Sequence, residues 1–354
     1  MASSSSPCPE RSKPSRAFFI LSGEHASLPK AEVKALLEAQ GGAWRVLEEG
    51  ASFIRVEAPL EHCAEATRRA AMVIECCQEL AACRAELEEA LEAAKSLDWS
   101  WLGRRSFAVR VEKKGAGPWA FSSMELERAV GAVVGRAWPE ARVDLRAPDV
   151  VVRVLVAGDR LLIGACLVKA ERGKFEERRP RRRPFFHPSA LEAKLARLYV
   201  NLARAKPGDT LLDPFSGTGG ILVEAFMVGC FPLGIDVDPT MAAGAKENVR
   251  AFKGCAGLVV GDARRPPVHR VDCIATDPPY GKASSTHGLN AAELMASFLP
   301  AAAEVLAKGG HMCFAVPSWV EVEELASSAG YSLVERHELR VHGSLTRVIV
   351  VLRR

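Results

Sequence analysis

Four short apolar runs, each closed by an aspartate, constrain this 354-residue chain more than anything else in it. They are Thr210-Leu211-Leu212-Asp213, Phe231 to Asp236, Leu258-Val259-Val260-Gly261-Asp262, and Val271 to Asp277. Helical patterns begin at Ile221 and run from Pro239 to Phe252 and from Ala291 to Leu306 between and after them. A fifth strand is expected at His311 to Val316. Tyr331 to Leu339 and Leu345 to Leu352 are expected as a closing pair turning at His342-Gly343. Alternating strands and helices describe an open parallel sheet, and such sheets bind ligands along the carboxyl edge, where these acids fall.

The first acid opens a glycine-rich turn, Asp213-Pro214-Phe215-Ser216-Gly217-Thr218-Gly219-Gly220. Bare backbone there can approach a ligand, with N–H groups pointing outward at a helix start. A pyrophosphate loop places glycines where this one places an acid, so a cationic cofactor fits better than a dinucleotide. S-adenosylmethionine, with its ammonium and sulfonium, has that character. Asp236 lies about twenty residues on, where a carboxylate can accept both ribose hydroxyls, and Asp262 is placed for an adenine amine. The fourth run ends in Asp277-Pro278-Pro279-Tyr280. Two prolines fix the backbone. Asp277 and the Pro278 carbonyl can accept hydrogen bonds from an exocyclic amine, and Tyr280 can stack on a ring. The tetrapeptide alone also reads as a Pro-Pro strand stop; the three acids upstream favour the ligand reading.

Upstream, strands are expected at Ala17–Leu21, Phe53–Val56 and Phe107–Val111. A hairpin is expected at Val150–Val156 and Leu161–Val168, and helices from near Pro29, over Leu60 to about Leu80, over Glu86–Ala94 and over Phe121–Trp138. The span Glu171–Arg183 concentrates Arg172, Lys174, Arg178, Arg179, Arg181, Arg182 and Arg183. A run of charge is commonly a solvated linker, but guanidinium forks also suit phosphate oxygens.

The runs Asp213 to Gly219, Gly234-Ile235-Asp236 and Asp277 to Tyr280 resemble class I amino-methyltransferases. More narrowly, Arg183-Pro184-Phe185-Phe186-His187-Pro188, Asp277 to Gly281 and Val341 to Arg347 resemble the archaeal tRNA guanine-N2 methyltransferases that modify guanosine 10. The resemblance is specific in the C-terminal half and looser before it. It implies an α/β chain: a ferredoxin-like segment over 16–59, a THUMP RNA-binding domain over 60–170, a basic linker over 171–188 and a Rossmann-like methyltransferase domain over 189–354 with an antiparallel last strand. Residues 1–15, rich in Ser and Pro, are expected to be a tail.

The resemblance further implies S-adenosylmethionine as cofactor, contacted by Asp213, Phe215, Gly217, Thr218, Gly219, Asp236, Asp262 and Ala263. It implies tRNA as partner, with the target guanine held by Asp277, Pro278, Pro279 and Tyr280. Arg347, beside the seven basic residues of 171–183, becomes a further phosphate candidate. N2-methyl- and then N2,N2-dimethylguanosine would be the products. Guanine-N2 methylation of ribosomal RNA, DNA amino-methylation and a non-catalytic RNA-binding role are the alternatives.

A net charge of +4 is too mild to demand a nucleic-acid partner by itself. Ten cysteines without a C-x-x-C pair give no zinc or redox motif, so no metal is expected and the thiols are read as reduced and buried. With no apolar run of about eighteen residues to cross a bilayer, a cytoplasmic protein is expected, and, with no exposed apolar repeat, a monomer.

Overall fold

The computed structural model describes residues 14–171, 173–279, 290–342 and 345–354. Arg172, Tyr280, Gly281, Lys282, Gly343, Ser344 and the first thirteen residues lie outside them.

The chain forms two compact units. The first gathers 14–23, Gly42–Arg68 and Val73–Ala170. Its strands are β1 (Ser15–Leu21), β2 (Arg45–Glu49), β3 (Phe53–Ala58), β4 (Val73–Arg84), β5 (Ser106–Lys114), β6 (Arg142–Val143), β7 (Val150–Ala157) and β8 (Arg160–Lys169). They make one eight-stranded sheet in the order β2-β3-β1-β4-β8-β7-β5-β6. Only the pairs β5–β7 and β5–β6 are parallel. The expected hairpin is β7–β8, turning through Gly158 at φ 63°.

After α1 (Leu28–Gln40) come α2 (Leu60–Arg69), α3 (Leu87–Lys95) and α4 (Ser123–Ala137). Helix α4 starts with a capping box in which Ser122 and Glu125 satisfy each other's backbone N–H. Its Leu126 and Val130 join Trp99 and Phe107 in one core.

Two expectations fail here. The helix expected over Leu60 to Leu80 stops at Arg69, and the chain continues as β4. Helix α1 groups with the second unit, as do Arg69–Met72. The reason is Glu32, fully buried on α1, whose carboxylate accepts the N–H groups of Ala71 and Met72 and the Asn201 side-chain amide, each within 2.8 Å. A buried carboxylate needs such donors.

The second unit holds α5 (Lys174–Glu177), α6 (Ala193–Leu202), β9 (Thr210–Asp213), α7 (Gly220–Val228), β10 (Phe231–Asp236), α8 (Pro239–Ala251), β11 (Gly257–Val260) and β12 (Val271–Thr276). The chain closes with α9 (Ala291–Val305), β13 (Leu306–Pro317), α10 (Val322–Ser328), β14 (Ser332–His342) and β15 (Leu345–Arg353). The sheet runs β11-β10-β9-β12-β13-β15-β14. The first five strands are parallel, and the last, β15, inserts antiparallel between β13 and β14. Helix α7 is buried nearly all round, and its Glu224 is fully buried with it.

Chain order reverses between β9 and β12, opening a crevice at their carboxyl ends. Asp213 closes β9, and Asp277 follows β12 at once.

Candidate active site

At the crevice, Asp213 is only 2% exposed. One of its oxygens accepts the Thr276 hydroxyl at 2.6 Å and the Phe215 N–H at 3.3 Å. Burial pushes its pKa up to about 7; the two hydrogen bonds oppose this and the nearby Asp236 and Asp277 charges add to it. The turn that follows uses left-handed backbone at Gly217 (φ 47°) and Gly219 (φ 75°). A Cβ on Gly219 would stand 2.9 Å from that of Ala245, so α8 packs where only glycine leaves room.

The Gly217 N–H donates to Asp236 at 2.8 Å, and the Asp238 N–H donates to the other Asp236 oxygen at 2.9 Å. Backbone thus fixes both oxygens while each keeps a lone pair for a ligand hydroxyl. The Ser216 hydroxyl is buried in this turn with no hydrogen-bond partner among the described residues. Asn248 on α8 braces the turn: its amide donates to the carbonyls of Thr218 and Phe185 and accepts the Phe185 N–H. A carboxylate pair, a glycine cradle and an orphaned hydroxyl suit a cationic ligand carrying a ribose.

The remaining cofactor candidates divide. Phe215 packs edge-on against Phe298 at 5.2 Å. Ala263 is buried beside Leu212 and Ile235. Asp262 is clasped by Arg264, whose guanidinium lies 2.6 Å from it and holds its pKa low. An adenine amine would have to share that carboxylate.

Asp277 is mostly enclosed, with 15% of its side chain exposed, and Pro278 is buried behind it. Burial pushes the Asp277 pKa up to about 6, against the pull of Arg347. The Arg347 guanidinium donates to its carboxylate at 3.2 Å. Arg347, expected on the RNA backbone, therefore lies against Asp277 with 18% exposure.

The basic strip also divides. Arg178 is buried and donates both arms of its fork to Glu224, at 2.6 and 3.2 Å. Arg183 is buried too, donating to the Arg178 and Leu191 carbonyls. Both are internal struts, contrary to the expectation of phosphate contacts, because burial of Glu224 requires cations around it. Arg197, which the sequence reading passed over, is the second such partner of Glu224 at 2.9 Å. Lys174 is half-buried, with a pKa lowered to about 8 by burial and by the neighbouring Arg197 and Arg178 charges. Arg179, Arg181 and Arg182 remain exposed, with Arg181 over the exposed ring of Phe186.

This strand order with acids at its carboxyl edge defines a class I methyltransferase. The RMKL-like methyltransferase-domain family matches residues 180–349, and the THUMP domain family matches residues 84–165. A tRNA (guanine(10)-N2)-dimethyltransferase of Methanothermobacter thermautotrophicus is 37% identical over 95% of this chain and 99% of its own length. Its namesake from Methanocaldococcus jannaschii is 33% identical over 71% of each. The crystal structure of TrmN from Thermus thermophilus superposes with a TM-score of 0.52 at 26% identity, covering 96% of this chain and 99% of that one. The chain belongs to the tRNA (guanine(10)-N2)-dimethyltransferase family.

Proposed function

We propose that this protein methylates the exocyclic N2 of guanosine 10 in tRNA, using S-adenosylmethionine, first to N2-methyl- and then to N2,N2-dimethylguanosine. The observation that carries the reading is Asp277, an enclosed carboxylate at the switch point of a methyltransferase sheet, in a chain 37% identical end to end to an enzyme of that name.

When bound, S-adenosylmethionine supplies an electrophilic methyl group on a cationic sulfur. Asp213, Gly217, Thr218, Gly219 and Asp236 would hold it, with Phe215, Asp262 and Ala263 around its base. The chain's own task is to make a poor nucleophile react. The N2 lone pair of guanine is delocalised into the ring. Hydrogen bonds from the amino protons to Asp277 and to the Pro278 carbonyl favour a pyramidal nitrogen whose lone pair is localised towards the methyl group, and positioning supplies much of the remainder. As the N–CH3 bond forms, the nitrogen sheds a proton, which Asp277 can accept or pass to water; a carboxylate titrating near 6 suits that step. A guanosine paired in tRNA has to leave its stack to reach such a crevice. Exposed Arg179, Arg181 and Arg182 are suited to the RNA backbone, and the THUMP domain to RNA shape.

The test is methyl transfer from labelled S-adenosylmethionine to unmodified tRNA, followed by nucleoside analysis and mapping. Label in N2-methyl- and N2,N2-dimethylguanosine at position 10 is expected. Label at another nucleotide, or in ribosomal RNA or DNA instead, would overturn the substrate assignment.

A further inference from the structure

Arg347 owes its place to topology. Because β15 runs antiparallel, it enters the sheet at the edge where the parallel strands end. Its third residue, Arg347, pairs with Pro317 at the end of β13 and with Leu339 of β14. From there its side chain reaches across β13 to Asp277 at the end of β12, placing Nη1 3.2 Å from Oδ2. Four-fifths of each side chain is withdrawn from solvent. An arginine serving RNA phosphates would have to abandon this ion pair and strand a largely buried carboxylate, which is costly.

We propose that Arg347 is a positioning residue for the transfer: its guanidinium fixes the Asp277 carboxylate as an acceptor for the guanine amino group, without touching the RNA. The inference rests on the role given to Asp277 above. Asp213 on β9, Tyr199 on α6 and Cys313 on β13 are also in electrostatic contact with Asp277. Arg347 opposes them with a positive charge that lowers the Asp277 pKa, and Tyr199, wholly buried, is in contact with it as well. Removing the guanidinium takes away a charge that pulls the Asp277 pKa down, so its proton is held more tightly and the acceptor form appears only at higher pH.

The experiment compares wild type, Arg347→Met, Arg347→Lys and Asp277→Asn in single-turnover methylation of unmodified tRNA from pH 5.5 to 9. KM for tRNA is measured at two salt concentrations, and cofactor binding serves as the folding control. In Arg347→Met the rising limb of the rate profile moves up by about one pH unit or more, a tenfold loss on that limb. KM for tRNA and its salt dependence stay within roughly twofold of wild type, since no phosphate contact is lost. Lysine keeps the charge but not the fork, so Arg347→Lys falls between the two. Where the Met variant does not fold, an upward shift in the Lys variant carries the test. A higher KM with a flatter salt dependence and an unmoved pH profile would make Arg347 a phosphate ligand and overturn the inference. A wild-type profile in every respect would overturn it too. Full activity in Asp277→Asn would instead remove the role assigned to Asp277; its loss together with an unmoved Arg347 profile removes the inference alone.

Discussion

The two sheets treat their carboxylates in opposite ways. In the eight-stranded sheet the acids are matched by arginines from other strands of the same sheet: Glu75 by Arg153 at 2.7 Å, Glu79 by Arg55 at 2.6 Å, and Glu48 by Arg160 at 2.7 Å. Burial alone would raise the pKa of Glu48, but the hydrogen bonds from Arg55 and Arg160 outweigh it and the net shift is downward. At the carboxyl edge of the seven-stranded sheet, Asp213 and Asp236 are held by N–H groups and a hydroxyl, and Asp213 is pushed up to about 7. Acids balanced by protein cations hold strands together. Acids steered only by neutral donors keep their affinity for a cation that arrives from outside.

The largest effect is expected at Asp277, the acid at that edge which Arg347 does pair. Asp277→Asn should slow single-turnover methylation by about 10³-fold, the scale of losing a positioned acceptor and base, while equilibrium binding of S-adenosylmethionine changes little. Loss of cofactor binding with the fold intact would contradict the division of roles between Asp277 and Asp213.

Next comes Glu224, a carboxylate of the first kind placed inside the second unit. Glu224→Ala leaves Arg178 and Arg197 buried without their anion and should cost about 3–5 kcal/mol in denaturant unfolding. A cost near zero would mean that those arginines reach solvent easily and are available to RNA after all. Smaller still is the exposed strip. Replacing Arg179, Arg181 or Arg182 by alanine should each flatten the salt dependence of tRNA binding by roughly one phosphate contact, with cofactor affinity unaffected. An unchanged salt slope in all three would remove the strip from the RNA interface.

The catalytic half was readable because its central strands are apolar runs that end at the ligand edge, so Asp213, Asp236 and Asp277 punctuate the sequence itself. Strand β4 was not. Its ladder with β8 shifts register between Cys76 and Cys77, both buried, and that bulge erases the period-two alternation by which a strand shows itself. Strand β2, half-buried on a sheet edge, shows no clear pattern either. The basic strip misled for a different reason. Arg178 and Arg347 find their acids 46 and 70 residues away, and a linear charge count cannot see pairs that only the fold creates. Proximity in sequence likewise hid the place of α1, whose Glu32 answers to Asn201, 169 residues on.

Asp213 also links the contrast to pH. Because the folded protein holds its proton more tightly than the unfolded chain does, its contribution to stability is full at low pH. That contribution is lost as pH rises from about 4 through the folded value of about 7. Thermal melts from pH 5 to 8 should show this decline, and Asp213→Asn should flatten it. A cationic ligand works in the other direction, since it favours the ionised carboxylate and expels the proton.

The most direct test of the central claim is calorimetry of S-adenosylmethionine binding near pH 6.5, in two buffers of different ionisation enthalpy. Wild type should release protons on binding. Asp213→Asn should release fewer, and S-adenosylhomocysteine, which lacks the sulfonium charge, should also cause less release. Binding without proton release by wild type, or a release unchanged in Asp213→Asn, would contradict the assignment of Asp213 to a cationic cofactor.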